Sequence, residues 1–312
     1  MPATHVWDGG AADNLFSSAE NWSDDVVPKA GDDILFDGTS TKAAIVDAGF
    51  AGTVASMEID PAYASMIDLQ RDLTVTTKLL QTGATLIGAA DLILPEGSVC
   101  NWFGGTWTGK GSVAIASGAS LNIAGLGSKG SADPLALVGR TIDNLGTATW
   151  GAGDLAATGG VWNNQAGATL DLQADVNWVD ASGTSLLNNA GTVTKSAGPG
   201  TASIDAAIND SGAVAVDGGT LAFNNGGQLG GVWQVAGGAT TALTAGQFNL
   251  QLGFTFAGDG FLIQGTSERR RQAPPLAHPR HDHRKGRSCF RWSSGQGTRL
   301  APPSFLQTED LP

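Results

Sequence analysis

Between residues 140 and 220 the apolar and polar positions fall into short alternating runs, each introduced by a glycine. Thr147-Ala-Thr-Trp150, Ala168-Thr-Leu-Asp-Leu172, Thr192-Val-Thr194 and Ala213-Val-Ala-Val216 alternate with a period of two, the signature of strands that bury one face. The glycines ahead of them, Gly146, Gly167, Gly191 and Gly212, are 21, 24 and 21 residues apart. Three of them close the phrase Asn-x-(Ala/Ser)-Gly, at Asn164–Gly167, Asn188–Gly191 and Asn209–Gly212, with a looser relative at Asp143-Asn-Leu-Gly146. Two other phrases recur. Gly-Ala-(Thr/Ser)-(Leu/Thr) starts at Gly83, Gly118, Gly167 and Gly238, and Gly-Gly-(Thr/Val)-Trp ends at Trp107, Trp162 and Trp233.

A fixed period of this length decides the fold before local propensity does. A strand of four to six residues with apolar side chains at alternate positions buries one side, and glycine or asparagine at its end supplies the positive φ that turns a corner. Three such strands with their turns take up roughly 20–25 residues, the size of a short solenoid repeat. The expected fold is therefore all-β, a right-handed parallel β-helix. About ten coils at ~4.8 Å each would make a rod about 50 Å long. The pattern predicts one column of corner residues, Asn164, Gly167, Asn188, Gly191, Asn209 and Gly212, in which the asparagine amides stack as a ladder, with Val193 and Val214 stacked inside. A β-sandwich would place turns every 8–12 residues without repeated phrases, and a propeller blade needs about 40–50 residues.

Composition agrees. Of the 45 glycines, 42 lie in residues 1–267, a density that excludes a helical protein. The chain carries 17 Lys+Arg against 29 Asp+Glu, a net charge of −12, but Glu268–Pro312 holds nine basic and four acidic residues, which leaves residues 1–267 at −17. An acidic body whose arginines are Arg71 and Arg140 has no electrostatic footprint for nucleic acid or an anionic membrane. Cys100 stands alone in the body, so no disulfide staples it. Met1–Gly10 lacks the charged and apolar regions of a signal peptide, and no apolar run reaches the ~18 residues of a membrane helix.

Residues 6–60 read differently, as an entry segment: Val6-Trp-Asp-Gly-Gly10, Asn21-Trp22, the turn Pro28-Lys-Ala-Gly-Asp32 leading into Ile34–Phe36, then Ala44–Asp47 and Val54–Ile59. This segment resembles the entry of bacterial secreted β-helix proteins. With the Asn-x-Ala-Gly-Thr and Gly-Gly-Thr-Leu phrases, the body resembles autotransporter passenger domains and filamentous-haemagglutinin-like adhesins over most of residues 1–267. The resemblance implies an exported, surface-attached or secreted protein, part of a larger polypeptide, with surface glycans or a host or matrix surface as partners. It specifies a rod and leaves open what the rod carries.

Candidate chemistry is sparse. Gly104-x4-Gly109-Lys110 approximates a phosphate-binding loop, but Gly111 stands where a hydroxyl should hold magnesium, and no helix follows. Gly125-Leu-Gly-Ser-Lys-Gly130 leads into Ser131-Ala-Asp-Pro134 and also lacks its helix. Acidic residues cluster at Asp24, Asp25, Asp32, Asp33 and Asp37 and again at Asp171, Asp175 and Asp180. They suit turns, and although calcium accepts such ligands, the Gly-Gly-x-Gly-x-Asp nonapeptide is absent and no cofactor is expected. A lyase or glycosidase would need converging carboxylates, and for a lyase a base. The bases on offer are Arg71, Arg140, six lysines and His5. Trp107, Trp162 and Trp233 share a slot after Gly-Gly, which suits either a buried row filling a wide coil or an exposed platform for sugar rings.

The expected organisation is a cap with first coils over 1–60, solenoid coils over 61–267, and a disordered, basic, Pro- and Arg-rich tail over 268–312. In that tail arginine, histidine and proline rise together, as in a translation out of frame. Its His278, His281, His283 and Cys289 have the residue types of a metal site without a fold to assemble them. The function expected is a non-catalytic structural or adhesive rod, and the rival is a carbohydrate-binding or polysaccharide-cleaving β-helix.

Overall fold

A computed structural model describes residues 3–125 and 135–265, together with the strand Ser288–Arg291. The described residues contain no α-helix, only a single 3-10 turn at Ala19–Asn21. The strands stack into a β-solenoid. One wall holds eleven parallel strands from Ala44–Val46 to Phe261–Gln264, one per coil. At ~4.8 Å per coil the rod is about 50 Å long.

The coil changes shape along the axis. Thr4–Val6, Asp33–Phe36, Thr53–Ile59 and Leu73–Gln81 stack as single strands on the side opposite that wall. Leu73–Gln81 then forks, its first residues pairing with Leu92–Leu94 and its last with Val99–Trp102. Pro95–Ser98 makes the new corner, where the Ser98 N–H and hydroxyl both donate to the Pro95 carbonyl, at 3.1 and 2.7 Å. From there to Phe261–Gln264 each coil has three strands, and the repeat expected from the glycine spacing is present. Thr147, Thr169, Thr192, Ala213, Val232 and Thr255 share one register position, so these coils span 19–23 residues, whereas the coil from Ser120 to Thr147 spans 27.

Alternation fixes what faces the core. Inward positions such as Leu121, Ile123, Leu170, Leu172, Val193, Val214, Val216 and Val235 are fully or almost fully buried, each stabilising the fold by roughly 1.5–3 kcal/mol through apolar burial. Val193 and Val214 are register partners, as expected.

Two expectations about the corner change. Gly146, Gly191 and Gly212 do occupy one column, directly before Thr147, Thr192 and Ala213. Gly167 sits one place out, because its corner, Gln165–Ala168, is two residues longer and Ala168 takes the column position. The reason for glycine also differs. Gly167 is left-handed, with φ +85°, whereas Gly146, Gly191 and Gly212 are not. Coil proximity excludes their side chains: a Cβ on Gly191 would lie 2.4 Å from the Ala168 carbonyl oxygen, and one on Gly212 2.2 Å from that of Gly191.

The three tryptophans do not share a slot. Trp107 lies on the eleven-strand wall, Trp162 on the wall of Val161–Asn164, and Trp233 on the wall of Val232–Val235. A three-strand coil has three corners, and Gly-Gly serves any of them, so the phrase marks a turn and not a position in the repeat.

Of the tail, Ser288–Arg291 is a strand lying antiparallel to Phe261–Gln264. The expectations of disorder and of a His/Cys cluster at His278, His281 and His283 fall outside the described residues, as does most of Gly125–Gly130.

Candidate functional site

The most distinctive chemistry lies beside the corner of Gly146, Gly191 and Gly212. Four coils carry a polar pair at the end of the strand before it: Asp143-Asn144, Asn163-Asn164, Asn188-Asn189 and Asn209-Asp210. Alternation sends the second member of each pair inward and leaves the first on the surface. Asn144, Asn164, Asn189 and Asp210 are accordingly buried in a column that Ile115 occupies one coil earlier.

Polar side chains tolerate such burial only when their hydrogen bonds are complete. Here they are. Asn144 Nδ2 donates to Asn164 Oδ1 at 2.9 Å, Asn164 Nδ2 to Asn189 Oδ1 at 2.8 Å, and Asn189 Nδ2 to Asp210 Oδ1 at 2.7 Å. The second N–H of each amide goes to a backbone carbonyl across the corner, those of Thr169, Thr192 and Ala213. The surface row runs the other way: Asn209 donates to Asn188 at 3.0 Å, Asn188 to Asn163 at 2.7 Å and Asn163 to Asp143 at 2.7 Å.

The two rows form one antiparallel pair of ladders. The buried row donates towards the C-terminal end and stops at Asp210, and the surface row donates towards the N-terminal end and stops at Asp143. An ionised carboxylate accepts and never donates, so an aspartate is the residue suited to terminate a chain of amide donors. It also fixes which way each amide faces. Asp210 takes a further 2.6 Å bond from Trp233 Nε1 on its other oxygen and one from the Gly212 N–H. Burial, the largest influence, raises its pKa above the ordinary 3.8, against the pull of these donors.

The corner therefore contradicts the single expected column. Asn164 belongs to the buried ladder, bonded to Asn144 and Asn189, while Asn188 and Asn209 belong to the surface one. The Gln165–Ala168 corner is two residues longer than its neighbours, so glycines aligned across it fall out of register. The Asx-Asx pairs, in contrast, stay in register from coil to coil and mark both rows. The last three pairs of the ladders, with Gln165, Ala190, Ser211 and Gln228, line an open groove of about 460 Å³.

Of the two roles open to them, the three tryptophans fill the core. Trp107, Trp162 and Trp233 each have 0% exposure, so none offers a ring face to a ligand. Trp107 stacks on Trp102 with centroids 3.8 Å apart and donates to Gln81 Oε1 at 2.7 Å. Trp162 packs against Trp178, and Trp233 against Phe223.

The other charged groups serve the scaffold. Arg140 is fully buried and its guanidinium donates to the carbonyls of Ala90, Thr108 and Ser112 at 2.8–3.1 Å, tying three coils together. Burial lowers its pKa to about 10, opposed by the charge of Asp91. Lys195 is buried against Asp175 at 2.9 Å, and that bond foremost holds the Asp175 carboxyl below its ordinary range. In the acidic entry cluster Asp24 and Asp32 flank the ring of His5, at 2.9 Å from Nδ1 and 3.2 Å from Nε2. Among the described residues no three His, Cys, Asp or Glu side chains converge as metal ligands would.

Fold and corner together define a β-solenoid reinforced by axial amide ladders. No protein-family model matches the chain, and no curated protein or solved structure matches it either.

Proposed function

We propose that this protein is a non-catalytic structural or adhesive rod of an exported bacterial surface or secreted protein. The observation that carries the reading is the pair of opposed ladders. They lock four successive coils along the axis and complete their own hydrogen bonds, which is a device for stiffness. The carboxyl displaced in the direction a general acid requires, Asp210, already accepts from Asn189, Gly212 and Trp233 and has no free edge to offer a substrate. The resemblance to passenger and adhesin domains supports export.

The groove favours a second reading, in which neutral glycans bind. Its accessible polar side chains include the amides of the surface row, Asn163, Asn188 and Asn209, with Gln165, Gln228 and Ser211, groups suited to sugar hydroxyls and not to a strongly charged ligand. One experiment separates the readings: the full chain is assayed for binding and turnover of neutral and acidic polysaccharides. A rod gives no turnover, and any binding an adhesive rod shows is unaffected by Asn188→Ala. Binding without turnover that is lost in Asn188→Ala favours the glycan reading, and turnover abolished by one Asp substitution overturns the non-catalytic one.

A further inference from the structure

The last coil is built unlike those before it. Where earlier inward side chains are essentially inaccessible, Phe248, Phe254, Phe256 and Leu262 are only partly buried and Leu250 is 59% exposed. Among the described residues, Phe248–Leu250 and Thr255–Ala257 pair on one side only. Such an end exposes both a cross-section of the apolar core and a strand edge, and a parallel stack left open can be extended by any strand that fits.

One strand already lies there. Ser288–Arg291 pairs with Phe261–Gln264 in the register Phe261↔Arg291, Leu262↔Phe290, Ile263↔Cys289 and Gln264↔Ser288. Its direction matters. Successive coils from residue 3 to 265 pair in parallel, as a solenoid must, so another coil would also add in parallel. An antiparallel strand ends the series. The backbone of the last coil fits this: the Phe261 N–H donates inward to Ala239 at 3.0 Å and the Gly265 N–H to Leu243 at 2.7 Å. By strand alternation the amides of Leu262 and Gln264 then point outward, and they lie opposite Phe290 and Ser288. Charge agrees as well, since residues 268–291 hold eight Lys+Arg against two acidic residues while residues 1–267 carry a net charge of −17.

We propose that the chain's own strand Ser288–Arg291 caps the edge of the eleven-strand wall at this end of the rod and holds it against pairing with a second copy. The strand that ends the parallel series at this wall thus comes from the segment that the sequence sets apart as foreign.

Hydrogen exchange of the full chain at two protein concentrations tests this. The Leu262 and Gln264 amides should be protected equally at both concentrations and should exchange about tenfold faster or more in Phe290→Pro, which removes a ladder donor. The amides of Val193 and Val214 should be unchanged, showing that the coils remain folded. Should Phe290→Pro fail to fold, Ser288→Pro gives the same readout at the neighbouring pair. Equal exchange of Leu262 and Gln264 in the wild type and a folded variant would overturn the proposal. So would protection that rises with concentration, which would assign the edge to a second copy.

Discussion

The two ends of the rod are both rich in phenylalanine and tryptophan, yet they are finished differently. At the N-terminal end Trp7, Phe16, Trp22, Phe36, Phe50 and Tyr63 all have 0% exposure. Trp22 stands edge-on to Trp7 and Phe16 with centroids 5.3 and 5.1 Å apart. Their polar atoms are also satisfied: Trp22 Nε1 donates to the Phe16 carbonyl at 2.9 Å, and Trp7 Nε1 and the Tyr63 hydroxyl both donate to that of Lys42. At the other end Phe254 touches Trp233, but Leu250 and Leu252 are 59% and 105% exposed. Aromatic content does not by itself close a solenoid. The plugged end has a segment laid back across the axis, where the Asp8 and Gly9 N–H groups both reach the Asn21 carbonyl and the Ser23 N–H reaches that of Val6. The chain's crossing, and not the kind of residue, makes the plug.

The sharpest way to break this contrast is Trp22→Ala. It empties the centre of the plug and orphans the Phe16 carbonyl, so urea unfolding should show a loss of about 3–5 kcal/mol, the usual cost of deleting a buried Trp. A loss under 1 kcal/mol would mean that the N-terminal end is no better closed than the C-terminal one.

Next in size is Asn164→Ala, between the ends. It leaves Asn144 without its acceptor and Asn189 Oδ1 and the Thr192 carbonyl without their donor. Stranded buried polar groups cost roughly 1–3 kcal/mol each when not rehydrated, so a loss of about 3 kcal/mol is expected. Coils in such a stack interact only with neighbours, so the substitution should also uncouple the ends, turning one calorimetric transition into two. A single transition at an unchanged temperature would show that the ladder does not link them.

How far these features can be read in the sequence depends on the kind of signal. The solenoid itself is legible because glycine spacing and period-two alternation are both set by the coil: Thr147, Thr192 and Ala213 fall in register as expected. The ladders are half legible. The Asx-Asx pairs are plain in the text, but buried asparagines at positions occupied elsewhere by Leu or Ile defeat a hydrophobicity pattern, and one long corner shifts the count by two. The role of Trp107, Trp162 and Trp233 is not legible, since an alternating strand places a tryptophan inward or outward according to a register that only the neighbouring coils fix. The plug is least legible, because it depends on a non-repeating segment crossing the axis.

The pH dependence of stability sharpens the picture of the stretch between the ends. Burial, foremost, raises the folded pKa of Asp210, so the folded state holds that proton more tightly than the unfolded one. The contribution of Asp210 is thus full below the ordinary 3.8 and is lost as pH rises through the raised value. Asp175 has the opposite sign: held low foremost by Lys195, it contributes above 3.8 and loses that contribution as pH falls through its lowered value. Asp210→Asn should remove the decline on the higher-pH side and leave the acid limb of Asp175 in place. It should also cost about 1–2 kcal/mol at neutral pH, because an amide nitrogen would then face the Trp233 N–H. Unchanged pH profiles in urea titrations from pH 3 to 8 would show that Asp210 is not the group that titrates there.

The smallest expected effect returns to the open end. Leu252 is 105% exposed, so it gives up no buried area when replaced, and Leu252→Ser should change the unfolding free energy by no more than about 0.5 kcal/mol. The value lies in comparing it with Trp22→Ala, since both remove a large apolar side chain from a terminal coil. If the core is closed at one end by a crossing segment and the apolar side chains at the other face water, the two substitutions should differ by several kcal/mol. A Leu252→Ser variant that loses stability at high protein concentration but not on dilution would instead show a second molecule seated on Leu252. A loss of 2 kcal/mol or more at every concentration would mean that the chain itself covers this residue, and that the two ends are closed alike.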